Sequence, residues 1–339
     1  MTRRVNLALQ GGGAHGAFTW GVLDRLLEDD TLEIAGISGT SAGALNGAAL
    51  KSGLLAGGRG AARKRLDRLW DQVGAIGDFR MLPWMQAFLP AMRFWQTTAD
   101  TFLPFSPQGL AAQFYSPYAW GDSWQNPLEP VVRDLDFSQV CAATEPRLFV
   151  SATNVRTGKI KVFAGEAITP EALMASACLP TVFQAVTIGE DAYWDGGYAG
   201  NPALFPLYEP ELPEDIIVVS INPIRREVLP DTPLEIQNRI NEISFNASLL
   251  GELRSINFVR RLIAEGRMEA ERMKAVRVHM ISDDTLMNEL SANSKLSPTP
   301  YLLDRLKQAG RAAGEAFLAG AGQGIGIEGI HIPDLLDHD

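Results

Sequence analysis

Val5-Asn6-Leu7-Ala8-Leu9-Gln10-Gly11-Gly12-Gly13-Ala14-His15-Gly16 and, further on, Ile34-Ala35-Gly36-Ile37-Ser38-Gly39-Thr40-Ser41-Ala42-Gly43 decide the fold. Val5–Leu9 is a short apolar run closed by three glycines, which reads as a buried strand and a tight loop. A helix is expected from about Ala17 to Glu28, with Trp20, Leu23 and Leu27 on one face. Ile34–Ile37 reads as a second buried strand ending at Ser38-Gly39, and Ala42–Leu50 as a helix of small residues. Strand, loop, helix, strand, turn, helix implies a parallel pair joined by a crossover. The predicted class is α/β, a three-layer α/β/α arrangement on a mostly parallel central sheet.

Outward from there, Gly53–Gly60 reads as a glycine-rich loop and Ala61–Val73 as a helix carrying Leu66, Leu69, Trp70 and Val73 at i, i+3, i+4 and i+7. Phe79–Trp124 is different in kind. It holds 12 of the chain's 28 aromatic residues and only four charges, Arg80, Arg93, Asp100 and Asp122. Arg147–Thr153 and Lys159–Ala164 read as strands joined at Thr157-Gly158. Pro170–Cys178 is a short helix, and Ala185–Ile188 and Ala192–Trp194 are strand pieces. Ile216–Asn222 is the clearest buried strand. Helices are expected over about Leu234–Met273, a last strand over Val276–Ile281, and a final helix from the Thr299-Pro300 cap pair. Neither repeats nor a linker interrupt the chain. It is read as one domain, 1–339, with a core over about 5–222, an aromatic insertion over about 79–124 and a C-terminal helical part over about 231–320.

The 339 residues are 46% apolar and 21% charged, enough for a sizeable core. A formal net charge of −10 argues against a nucleic-acid partner, which needs a basic face. The two cysteines, Cys141 and Cys178, fit no metal spacing, and the four histidines are scattered. Scarce cysteine and the lack of a signal-like or membrane-length apolar run point to a cytoplasmic chain, with peripheral membrane contact left open. The oligomeric state is unknown at this level.

Three motifs carry chemistry. Gly39-Thr40-Ser41-Ala42-Gly43 is a G-x-S-x-G pentapeptide between a strand and a helix, where a nucleophile elbow sits. Taken alone it is equally a plain strand-to-helix turn. Ala42 N–H, opening the helix, can point at a developing oxyanion. Gly11–Gly16 fits the dinucleotide pattern G-x-G-x-x-G literally. The second strand, however, ends at Ile37-Ser38-Gly39 without the acid that a ribose requires. The bare N–H groups of Gly11, Gly12 and Gly13 suit a tetrahedral oxyanion instead. Asp195-Gly196-Gly197 puts a carboxylate at a strand end, able to take the Ser41 proton. By itself, Asp-Gly is an ordinary turn. A triad of Ser41, Asp195 and His279 satisfies the chain order of α/β-hydrolases, but Ser41 follows only one strand and His279 reads as a packed strand residue. His15 either touches substrate or orders the loop, and the second is favoured.

Together the three motifs resemble the patatin-like phospholipase family, which pairs a G-G-G-x-R-G loop with G-x-S-x-G and then D-G-G or D-G-A. Here these are Gly11–Gly16, Gly39–Gly43 and Asp195–Gly197, and Ala175-Ser176-Ala177-Cys178-Leu179-Pro180 is similar to the family's A-S-x-x-x-P segment. His15 departs from the family's arginine. The resemblance implies a Ser41–Asp195 dyad hydrolysing phospholipid or other acyl esters without metal or cofactor, with Gly16, Gly39, Gly43, Gly196 and Gly197 shaping the turns. An ordinary aspartate, with a pKa of about 3.9, is a weak base at neutral pH, so burial in the cleft is expected to raise it.

The aromatic segment reads equally as a small second core or as a cap over the cleft. The cations Arg59, Arg63, Lys64, Arg65 and Arg68 read as a solvated helix face, with lipid headgroups as the alternative, and those from Arg254 to Arg272 with Glu252, Glu265, Glu269 and Glu271 read as a solvated or ion-paired surface. Cys178 is not expected to be a nucleophile. An acyltransferase on the same site and a lipid-binding regulatory protein are the competing functions.

Overall fold

The computed structural model describes residues 2–77, 117–118, 126–180, 182–269, 273–290 and 292–336. Apart from Pro117 and Tyr118, the expected aromatic cap lies outside the described residues.

Eight strands form one sheet: β1 (Arg3–Leu9), β2 (Leu32–Thr40), β3 (Arg147–Asn154), β4 (Ile160–Ala164), β5 (Val186–Ile188), β6 (Asp191–Asp195), β7 (Asp215–Val219) and β8 (Arg277–Ile281). Their order is β5-β6-β3-β2-β1-β7-β8, with β4 also paired to β3. The run β3-β2-β1-β7-β8 is parallel throughout. The hairpin strands β4, β5 and β6 bring in the antiparallel pairs.

β1 lies at the centre, and its alternation splits the core in two. Leu7 and Leu9 join the cluster of Ile37, Val150, Ile217 and Val219 on one face, whereas Ala8 joins Ala35, Phe149, Ile216 and Val218 on the other. The first face is covered by α1 (Gly16–Leu26), α2 (Ala42–Gly77) and, later in the chain, α3 (Pro170–Ser176) and α5 (Pro300–Ala319). The second is covered by α4 (Pro233–Ala264) through Leu249, Leu253 and Ile256. Burying each such side chain stabilises the fold by about 1.5–3 kcal/mol. The result is the expected α/β/α layering on a mostly parallel sheet. The sheet does not stop near residue 222, because β8 extends it on the far side of β7.

Several local expectations change. The glycine-rich stretch 53–60 is not a loop but part of α2, which breaks only at Gly57 and Gly58. Gly58 has φ +72°, a left-handed conformation that glycine takes without strain. That kink folds the second half of α2 back, so that Gly53 lies directly against the backbone of Ala62. Nor do helices run to Met273. A Thr232–Glu235 capping box starts α4, and it ends at Ala264, before Gly266 with φ +66°. Thr299 caps α5 by accepting a hydrogen bond from Leu302 N.

Some of the cations on the charged helix faces are ion-paired. Arg63 bonds Asp24 (2.6 Å), and Arg59 and Arg68 pair with Asp30 and Asp134. Glu252 is no solvated residue: it accepts from Leu204 N (2.8 Å) and Tyr208 Oη (3.1 Å). His279 Nε2 lies 2.8 Å from Asp215 Oδ1. Asp215 opens β7, whereas Ser41 follows the far end of β2, so no Ser41–His279 pairing forms. No helix among the described residues is long and apolar enough to cross a membrane.

Candidate active site

Ser41 stands between β2 and α2 with φ +54°, the one non-glycine residue of positive φ among those described. A left-handed backbone costs an L-residue about 1–2 kcal/mol, so the surroundings must enforce it. They do so from three sides. Ser41 N donates to Ser176 Oγ on α3 (2.9 Å). Ser41 O accepts from Ala44 N (2.9 Å) and Leu45 N (3.1 Å), starting α2. Thr40 Oγ1 donates to Gly200 O (2.7 Å), tying the end of β2 to the chain beyond Asp195. Gly43 is obligatory, since a Cβ there would lie 2.1 Å from Leu9 O.

Sheet register brings Asp195 to the same place. Thr40 of β2 pairs with Ser151 of β3, and the next β3 residue, Ala152, pairs with Asp195 of β6, so only β3 stands between the carboxylate's strand and the serine's. Asp195 N donates to Cys178 O (2.7 Å), and Thr153 Oγ1 donates to Asp195 O (2.8 Å). Its Oδ1 accepts from Gly197 N (2.8 Å). Its Oδ2 is buried with no partner. The Ser41 hydroxyl lies near enough to favour the carboxylate, although no hydrogen bond of good geometry closes between them. Burial dominates: it pushes the carboxyl up to about 7, against smaller opposing pulls from Gly197 N–H and Ser41.

The glycine loop runs past the serine, since a Cβ on Gly11 would lie 2.6 Å from Ser41 Cβ. One expectation fails here. Gly11 N–H is not free but donates to Asn201 Oδ1 (2.7 Å). The N–H groups of Gly12, Gly13 and Ala42 make no hydrogen bond among the described residues. Gly13, with φ +60°, also packs under Lys295 O, where a Cβ would come within 2.3 Å. His15 is buried, with Nε2 2.7 Å from Ser294 Oγ. Burial first, then the nearby Lys295 charge, push its pKa down to about 3, so it orders the loop as a neutral ring. Cys178 is inert: burial and the neighbouring Asp195 push its thiol up to about 12.

Ser41 and Ala42 open on a cavity of about 260 Å³ walled mainly by apolar side chains, among them Leu45, Leu69, Trp70, Val73, Leu179 and Phe183. Ser176 was marked only as part of the A-S-x-x-x-P segment, and three other residues that build the site escaped the sequence reading: Gln10, Asn201 and Asn222. Their one legible signal is position, because Gln10 and Asn222 lie just past the carboxyl ends of β1 and β7, where open α/β sheets place their crevices.

Residues 7–208 match the family model described as patatin-like phospholipase. The chain therefore belongs to the patatin-like phospholipase family, and with it to the lipid acyl hydrolases in the broad sense. Among solved structures it is similar to VipD from Legionella pneumophila, at 15% identity and a TM-score of 0.42, over 94% of this chain and 67% of that one. No curated protein matches it.

Proposed function

We propose that the chain hydrolyses phospholipid or related acyl esters with Ser41 as nucleophile and Asp195 as its general base. One observation carries this reading: a serine on a strained elbow stands beside a buried carboxylate whose free oxygen has no partner, at the mouth of an apolar cavity.

The substrate's acyl chain occupies the cavity, and its carbonyl carbon meets Ser41 Oγ. Asp195 Oδ2 takes the hydroxyl proton as the C–O bond forms. The tetrahedral oxyanion receives the N–H groups of Gly12, Gly13 and Ala42, reinforced by the positive end of α2. Collapse expels the alcohol, which recovers the proton from Asp195 and leaves an acyl-serine. Asp195 then deprotonates a water that attacks the acyl carbon, and as the bond to Ser41 Oγ breaks it returns that proton to the serine and the fatty acid leaves. A carboxyl near pH 7 is better matched to both proton transfers than an ordinary aspartate.

Labelling with a fluorophosphonate probe, with mass mapping of the adduct, tests the assignment. It is expected on Ser41, absent in Ser41→Ala and sharply weaker in Asp195→Asn. Wild type that is folded yet unlabelled, with or without phosphatidylcholine vesicles, would remove the hydrolase reading and leave lipid binding in its place.

A further inference from the structure

The free donors of Gly12 and Gly13 act only if the loop that carries them holds its shape. Asn201 holds it from within the family-matched stretch, 7–208, and a second set of groups holds it from beyond that stretch. Gln10 Oε1 accepts from Ile221 N (2.9 Å), Asn222 N (3.1 Å) and Asn222 Nδ2 (3.2 Å). The same Asn222 Nδ2 donates to Gly11 O (2.7 Å). Asn222 Oδ1 in turn accepts from Lys295 Nζ (3.2 Å), which also donates to Glu242 Oε1 (3.1 Å). Glu242 is fully buried on α4 and bound through both oxygens by Arg226, at 2.7 and 2.8 Å.

Lys295 thus meets the loop twice. Its carbonyl packs on the Cα of Gly13, and its ammonium fixes the amide that holds Gly11. The two free N–H groups lie between those grips. The Lys295 side chain is 16% exposed and paired with the fully buried Glu242, so part of its desolvation cost is met by that ion pair. Its retention beside the cavity calls for a polar task, and the loop supplies one.

We propose that Lys295 is a positioning residue for the acyl-transfer reaction, clamping Gly11–Gly13 so that the Gly12 and Gly13 N–H groups stay aimed at the oxyanion. The inference rests on the functional reading above. Its consequence is a loss confined to the transition state, because the ground-state ester is held by the cavity.

The test uses the full chain and a p-nitrophenyl acyl ester. Lys295→Met is expected to lower kcat by about tenfold to a hundredfold, with KM nearly unchanged. Affinity for an alkyl trifluoromethyl ketone, which forms a tetrahedral oxyanion on serine, is expected to fall by the same factor. Fatty-acid binding should stay as in wild type, and Lys295→Arg should recover most of the rate. If Lys295→Met fails to fold, Asn222→Asp carries the test, since it removes the donor to Gly11 O and predicts the same pattern. Active wild type with kcat unchanged in both variants would overturn the proposal, as would a rise in KM alone. A fall in kcat without loss of ketone affinity would do so too. An inactive wild type with Ser41 unlabelled would overturn the functional reading and this inference together.

Discussion

At the scale of single residues, the proposed mechanism makes Asp195 set the pH behaviour. As general base its carboxyl must be ionised, so kcat/KM is expected to rise with pH through about 7 and level off above, which a pH profile on a soluble ester would record. Stability runs the other way. The folded carboxyl holds its proton up to about 7, whereas the unfolded one releases it near 3.8, so the native state binds more protons between those values. The protein therefore loses stability as pH rises across that window. Asp195→Asn keeps an acceptor for Gly197 N–H but carries no charge. It should melt higher than wild type at pH 8, converge with it below pH 4, and hydrolyse about 10²–10⁴-fold more slowly. Thermal melts at the two pH values beside rates check both halves. Ser176→Ala should cost about 1–3 kcal/mol in urea unfolding and slow the enzyme as well, because it strands the buried Ser41 N–H. Ser41 and Asp195 were legible because each stands in a short motif at a strand end. Asn201, which takes the hydrogen of Gly11, was not, since its role depends on a contact 190 positions away.

At the scale of elements, the sequence reading located the strands and most helices, because apolar runs and caps are local signals. It misread residues 53–60, where four glycines, Gly53, Gly57, Gly58 and Gly60, suggested a loop and packing gave a kinked helix. Composition counts glycines but does not reveal which one must be left-handed. The structure singles out Gly58, whose added Cβ would meet nothing within 4 Å, so a substitution there isolates the backbone effect. Gly58→Ala is expected to destabilise the fold by about 1 kcal/mol in urea titration while leaving kcat unaltered. The same exchange at Gly13 should do much more. It adds a clash with Lys295 O to the left-handed strain, and the rate should fall along with the melting temperature.

For the whole molecule, the site is a meeting of distant chain segments. Gly11 and Ser41 come from the first 41 residues, Asp195 from the hairpin at one side of the sheet, and Asn222 and Lys295 from the other side. Residues 209–336 supply β7 and β8, so a fragment ending at residue 208 would leave β1 as an open edge and strip Gln10 Oε1 of its donors. Such a fragment is expected to be unfolded or aggregated by circular dichroism and sedimentation, even though it spans the family-matched region. Parallel pairing of this kind leaves little local trace: the strand over Val276–Ile281 was legible, but its place beside β7 was not, and the core was drawn only to about residue 222. The left-handed backbone of Ser41 has a further consequence. That conformation exists only while Ser176, Gly200 and the start of α2 hold it in place, so an unfolded chain carries an ordinary, unreactive serine. A gel band from a fluorescent phosphonate would therefore count native molecules, and the protein could serve as its own folding sensor in a crude extract.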